Sequence, residues 1–264
     1  MLEGKAIKDL PVVLFSRGSF LGEFWVKSIA KPSVLGKITS VLGEYGILIK
    51  NIVAYTSGDE GNAFILVDCT NMTSNIEEIV DRLKSMPEVM DVKFFSPNRY
   101  GYIYESFGFP ITTSNKEEVI IIRLKSFVSM LDGIRAYFGS AGEAFLWYLA
   151  REGGSSTAKW FDEELGDLGV IDKIKVHLDT LFSVGWGRFE LKRFDETEKI
   201  VEIEAKDNLE IRYQKGSSKE CRCIFMRGYL TGALSVYLGK EVKVEEIKCE
   251  AKGDGSCVFV CHFD

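Results

Sequence analysis

Five of the six cysteines of this 264-residue chain lie within its last 44 residues. Cys221, Cys223, Cys249, Cys257 and Cys261 crowd there, while Cys69 stands alone in the first 220. A disulfide framework belongs to short secreted chains. The start Met1-Leu2-Glu3-Gly4-Lys5 lacks the charged and apolar regions of a secretory leader. Clustered thiols in a reducing compartment point to a metal or to redox chemistry, with small cysteines filling a core as the alternative. A net charge of −6 with two histidines argues against a broad basic surface for nucleic acid or anionic lipid. No apolar run reaches the roughly 18–20 residues of a membrane helix. The expectation is a cytoplasmic protein without membrane attachment or direct nucleic-acid binding.

Periodicity divides the chain near residue 100. After an N-terminal extension (1–21), residues 22–96 alternate strand and helix. Gly22–Ile29 is a strand pattern, and Pro32 opens a helix whose Val34, Leu35, Ile38, Val41 and Leu42 recur at helical spacing. Gly46 ends it, and Ile47–Tyr55 and Ala63–Cys69 form a hairpin around residues 57–62. Ser74-Asn75-Ile76-Glu77 reads as a capping box for a helix stopped by Pro87, and Val89–Phe95 is the last strand. Strand, helix, strand, strand, helix, strand is a ferredoxin-like order.

That order, with IAKPSVLGKITSVLGEYGILIKNI inside it, resembles the ACT family of small regulatory domains. The resemblance implies edge-to-edge pairing, hence a homodimer, and an effector turn between first strand and first helix. Here that turn holds Lys31, Pro32 and Ser33 and lacks the family's acidic residue, so Lys31 beside a helix N-terminus would attract an anion.

Residues 97–110 have connector composition, with Pro97, Asn98, Gly101, Gly108 and Pro110, and the polar run Thr112-Thr113-Ser114-Asn115-Lys116 follows. The aromatics Tyr100, Tyr102, Tyr104, Phe107 and Phe109 predict that this stretch packs down. In residues 111–264, helices are expected at Gly142–Arg151, around Trp160-Phe161, at Leu168–Leu181 and at Ile224–Leu238. Strands are expected at Val184–Arg193, Lys199–Lys206, Val242–Glu250 and Ser256–Phe263. Helices first and an antiparallel sheet later make an α+β domain, so the whole chain is α+β.

From Cys223 to Cys257, the residues Cys223, Gly228, Tyr229, Gly232, Gly239, Glu246, Cys249 and Cys257 fall in a spacing that resembles the 4-vinyl reductase (4VR) domain family. Asp207-Asn208-Leu209-Glu210 is similar to a further stretch of that family. The family includes the sensor domains of phenol- and xylene-responsive activators. The resemblance implies a structural zinc ion on Cys223, Glu246, Cys249 and Cys257, and a pocket for a small hydrophobic or aromatic molecule. Three thiolates and a carboxylate can complete a tetrahedral zinc site and leave no position for substrate. Glu246 and Cys249 differ by three, so on a flat strand they point to opposite faces, and a bulge near Ile247-Lys248 is required. Cys221 or Cys261 could replace Glu246.

His177 lies near the position where the aromatic-sensing relatives use a helix histidine, although their strand tryptophan is absent from Ile203-Glu204-Ala205-Lys206. A satisfied structural histidine is the plainer reading. Trp147, Trp160 and Trp186 are candidate pocket residues against the alternative of plain core. Gly228 and Gly232 permit close helix packing, inside the subunit or across a dimer. No phosphate loop, dinucleotide fingerprint or nucleophile elbow is present in the sequence. The expected function is therefore a ligand-sensing regulatory protein without its own output domain, acting through a separate output protein. An enzyme or accessory factor in tetrapyrrole vinyl reduction and an assembly scaffold are the alternatives.

Overall fold

The computed structural model describes residues 8–97, 101–113 and 117–264. The start Met1–Lys5 and the connector residues Asn98, Tyr100, Ser114, Asn115 and Lys116 lie outside them. The chain divides between Ile120 and Ile121 into two compact units.

In the first unit, strand β1 (Val13–Phe15) precedes β2 (Leu21–Ile29), α1 (Val34–Glu44), β3 (Leu48–Ser57), β4 (Glu60–Asp68), α2 (Ile76–Lys84), β5 (Val89–Phe95) and β6 (Tyr102–Tyr104). The antiparallel sheet runs β3-β4-β2-β5, which is ferredoxin-like topology. Alternation sends Phe24 and Val26 of β2 into the core with Val34, Ile38, Leu42, Ile79 and Leu83 from the helices. Two local expectations are corrected. The α2 cap is Asn75, whose side chain accepts from Glu78 N at 2.8 Å, and Ser74 instead contacts the Glu78 carboxylate. The hairpin closes more tightly than expected, because Gly58 takes φ 57° in the turn between β3 and β4. β1 pairs antiparallel with β6, so parts of the extension and the connector form a ladder, and Ile103 joins Leu21 and Leu66 in a small second core.

A two-residue pair, β7 (Thr112–Thr113) with β8 (Glu117–Glu118), precedes the second unit. There, α3 (Leu124–Leu165) and α4 (Val170–Ser183) are followed by β9 (Arg188–Asp195), β10 (Ile200–Lys206), α5 (Ile224–Leu238), β11 (Val242–Lys248) and β12 (Cys257–Phe263). The antiparallel sheet runs β11-β12-β10-β9. Its inward residues Val201, Ile203, Phe259 and Val244 meet α5, whose Gly239 ends the helix at φ 62°.

The separate helices expected at Gly142–Arg151 and Trp160-Phe161 are one element. α3 continues through Gly153-Gly154 and bends only at Gly139. The glycines serve packing rather than termination. A Cβ on Gly154 would strike the Tyr229 carbonyl oxygen, and Cβ atoms on Gly228 and Gly232 would strike those of Trp147 and Arg151. The α3 backbone therefore fills the seam offered by Gly228 and Gly232, and that seam is not free for a second copy. No helix among the described residues is long and apolar enough to cross a membrane.

Candidate metal centre and aromatic clamp

Three chain segments deliver the cysteines. Cys223 is the N-cap of α5, Cys249 follows β11, and Cys257 opens β12. The β11–β12 register slips between Glu246 and Lys248, which leaves Ile247 as an extra residue. This bulge allows Glu246 and Cys249 to share one side, against the alternation of a flat strand. Beyond Cys249 a single 3-10 turn, Glu250–Lys252, is reversed at Gly253, whose φ is 92°. Asp254 Oδ2 then accepts from Cys249 N at 2.8 Å and fixes the thiol's position.

The ligating atoms of Cys223, Glu246, Cys249 and Cys257 all lie within 4.8 Å of one another, an arrangement that could hold a metal ion. Cys223 Sγ lies 3.8 Å from Cys249 Sγ and 3.7 Å from Cys257 Sγ. A tetrahedral centre with metal–sulfur bonds of about 2.3 Å has edges near 3.8 Å, so these two sulfur separations fit a tetrahedral metal ion. Glu246 Oε2 accepts from Cys223 N at 3.0 Å, while Oε1 is buried without a partner. An orphaned carboxylate oxygen beside three thiols is the second mark of such a site. Cys221 and Cys261 are outside the quartet. Cys261 points into the sheet core, where burial pushes its thiol up, and Cys221 is half-buried nearby.

Backbone amides moderate the cluster's charge. Glu250 N donates to Cys257 Sγ at 3.4 Å, and the Arg222 backbone favours the ionised form of Cys249. Cys249 is held far below the ordinary thiol range by hydrogen bonds from Cys223 and Cys257, and the Cys223 thiol is pushed up in exchange. Burial raises Glu246 to about 8. Without a cation the four acidic groups cannot all ionise, and a divalent ion removes that conflict.

A second polar arrangement sits in the apolar interior between α4 and α5. His177 on α4 is 3% exposed, with Nδ1 2.7 Å from Tyr237 Oη and Nε2 2.8 Å from Tyr229 Oη. Burial lowers His177 to about 4 and raises Tyr229 to about 12, so the clamp is neutral near pH 7. A neutral imidazole donates from one nitrogen and accepts at the other, so the two tyrosines take opposite roles.

Of the four expected pocket residues, His177 and Trp186 meet at Tyr229, with the Trp186 ring 4.9 Å from the tyrosine. Trp160 packs edge-on against Phe161, which lies 5.2 Å from His177. Trp147 is elsewhere, against Tyr148 and Arg151 on α3. The closed apolar pocket expected beside these aromatics is narrow where His177 faces α5. The space between Ile174, His177, Leu234 and Tyr237 is about 10 Å³, room for one water. Sequence reasoning misses Tyr237, although its placement two turns beyond Tyr229 on α5 is a readable signal. In the first unit Lys31, Pro32 and Ser33 are all exposed, and Ser33 makes no side-chain cap bond to α1.

Glu210 and Arg135 also escape sequence reasoning as a pair. The Glu210 carboxylate, 0% exposed, accepts from Phe225 N and Met226 N at 3.0 Å each and from Arg135. It thereby caps α5 from outside the helix, where Cys223 supplies no side-chain cap.

Solved structures similar to parts of this chain include the phenol-responsive sensory domain of the transcription activator PoxR, solved with phenol. It is 14% identical, with 56% of this chain and 77% of that chain covered at TM-score 0.49. A vinyl-4-reductase family protein from Methanocaldococcus jannaschii is 19% identical, covering 56% of this chain and 85% of that one at TM-score 0.39. The ACT domain from GTP pyrophosphokinase of Chlorobium tepidum is 18% identical, covering 29% of this chain and 99% of that one at TM-score 0.26. No curated protein matches the sequence. Residues 201–263, the segment from β10 to β12 that carries all four clustered ligands, match the V-4-R (vinyl-4-reductase) domain family.

Proposed function

We propose that this chain is a ligand-sensing regulatory protein. Its C-terminal unit (111–264) is organised by a structural zinc ion on Cys223, Glu246, Cys249 and Cys257, and it admits a small hydrophobic or aromatic molecule at the His177 clamp. The ACT-like unit (22–96) dimerises, and the signal passes to a separate output protein in the cytoplasm. The observation that carries the reading is the clamp itself: three hydrogen-bonding groups buried in an apolar interior, within a unit whose residues 201–263 match the vinyl-4-reductase domain. A ligand hydroxyl inserted between the imidazole and one tyrosine can donate to one and accept from the other, so opening the 10 Å³ space in this way keeps all three groups paired. Zinc supplies no reaction here. It ties the α5 N-terminus to the β11–β12 hairpin and so fixes the helix that bears both tyrosines.

Native mass spectrometry of protein purified without added ligand tests the reading in one spectrum. One zinc per chain, a dimer and a retained apolar molecule are expected, whereas a redox cofactor on the protein would favour the enzyme alternative. A scaffold is the second reading, favoured by the closed core and by the exposed Met130, Tyr137, Phe138, Phe145, Tyr148 and Leu149 along α3. A metal-loaded chain that binds no small molecule and captures a partner on α3 would support it.

A further inference from the structure

The bend of α3 opens a cleft that the sensing reading does not use. Gly139 takes φ 55° and ψ −132°, a conformation open to glycine, and the helix changes course there. Beside the bend lies a depression of about 600 Å³, in the size range of small-molecule sites. Asp132, Arg135, Ser140, Glu143, Gln214 and Arg222 supply its polar lining.

Half of this lining is already committed. The Arg135 side chain is 8% exposed and donates from Nη1 to Asp132 Oδ1 at 3.1 Å, with Nη2 reaching Glu210 and the Arg222 carbonyl oxygen. Gln214 Nε2 donates to the other Asp132 oxygen at 2.8 Å. These groups form a fixed wall whose charges largely cancel. Two ionic groups remain. Arg222 and Glu143 are half-buried, and neither side chain has a hydrogen bond or ion pair among the described residues. Arg135 Nε adds a second unused donor beside Arg222, buried and unpartnered.

We propose that this cleft binds a small zwitterion, a free amino acid or a dipeptide, with its carboxylate on the Arg222 guanidinium and its ammonium on the Glu143 carboxylate. One unspent cation and one unspent anion in the same cleft complement a ligand carrying both charges. A guanidinium fork matches a carboxylate in two parallel hydrogen bonds, and the Ser140 hydroxyl adds a neutral contact. A simple anion would meet Asp132 and Glu143, and a simple cation would meet Arg222. An apolar ligand would leave all of these groups without gain. The site is separate from the His177 clamp, so either can fail without the other.

The test uses the full chain with zinc present. Each of the common free amino acids and a set of dipeptides is titrated at millimolar concentration by calorimetry, with acetate and methylammonium as half-ligands. At least one zwitterion should bind about tenfold more tightly than either half-ligand. Arg222→Gln and Glu143→Gln should each weaken it by about tenfold or more, Arg222→Lys should weaken it less, and Lys31→Ala in the first unit should change nothing. Should Arg222→Gln not fold, Ser140→Trp, at an exposed position, should fill the cleft and abolish binding while metal content stays constant. The proposal is overturned if no zwitterion binds, if acetate binds as tightly as the amino acid, or if binding survives both Glu143→Gln and Ser140→Trp.

Discussion

Removing the Glu210 carboxylate should be among the most damaging single changes in the C-terminal unit. Three interactions end at this group, and none has a substitute in view. In Glu210→Ala the amides of Phe225 and Met226 become orphans at the start of α5, and the mostly buried Arg135 keeps only Asp132 and the Arg222 carbonyl oxygen. Each buried orphan costs about 1–3 kcal/mol, and breaking a buried ion pair from one side costs about 3–5 kcal/mol. These overlap, so the expected loss is about 4–5 kcal/mol, a large part of the roughly 5–15 kcal/mol that holds a typical domain folded. Arg135→Met should cost less, about 2 kcal/mol, because Glu210 retains two amides and the positive end of the helix dipole. The double variant should fall short of the sum by about 1–3 kcal/mol, the mark of direct coupling. Urea unfolding with zinc saturating, followed through Trp147, Trp160 and Trp186, gives all four corners of the cycle. Strict additivity, or a loss under about 1 kcal/mol for Glu210→Ala, would refute the remote-cap reasoning.

Other perturbations read separate parts of the structure. Cys249→Ser and Cys257→Ser should each abolish zinc binding by elemental analysis while Cys69→Ser, in the other unit, leaves it unchanged; Glu246→Gln retaining full zinc would transfer the fourth ligand to Cys221, which lies beside Glu246 and Cys249. His177 has its pKa depressed from 6.5 to about 4, so the unfolded chain takes up a proton that the folded chain refuses. Stability of the C-terminal unit should therefore be complete above pH 6.5 and fall by about 3 kcal/mol as pH drops towards 4, and in His177→Phe this dependence should flatten. Glu23 behaves in the opposite sense. It is wholly buried, accepts from Ser106 N and Oγ at 2.8 Å, and burial, with Glu105 beside it, raises its pKa from 4.5 to about 7. Its folded state holds the proton longer, so the first unit should lose stability as pH rises from 4.5 through 7, and Glu23→Gln should melt higher than wild type at pH 8. Gly232→Ala should cost about 1–3 kcal/mol or more in thermal melts, because its Cβ meets the α3 backbone rather than a movable side chain.

What is legible in the sequence follows from local chemistry. α5 can be read from Ile224 to Leu238 because Gly239 marks its end, and the need for a bulge at Ile247 follows from the three-residue gap between Glu246 and Cys249. The ferredoxin-like order is equally plain, since each strand there runs long enough to show alternation. α3 misleads where Gly153-Gly154 looks like a break, because helix propensity says nothing about a neighbouring backbone that needs room. β1 and β6 are three residues each, too short to display a period, and their pairing joins positions about ninety residues apart. The Arg135–Glu210 pair spans 75 residues, and the clamp needs α4 and α5 side by side, so neither is written in spacing. The narrowness of the space at His177 has a similar cause. Aromatic composition alone does not distinguish residues that line a space from residues that fill it.

Titration of the zinc-loaded chain with a panel of phenols, other small aromatics and medium-chain fatty acids, followed by thermal denaturation of the C-terminal unit, bears most directly on the sensing function. At about a hundredfold excess over the dissociation constant, a true ligand should stabilise this unit by about 2.7 kcal/mol. The same ligand should lose most of that effect in His177→Phe, whose ring offers no hydrogen bond. No stabilisation by any member of the panel, or equal stabilisation of wild type and His177→Phe, would contradict the account.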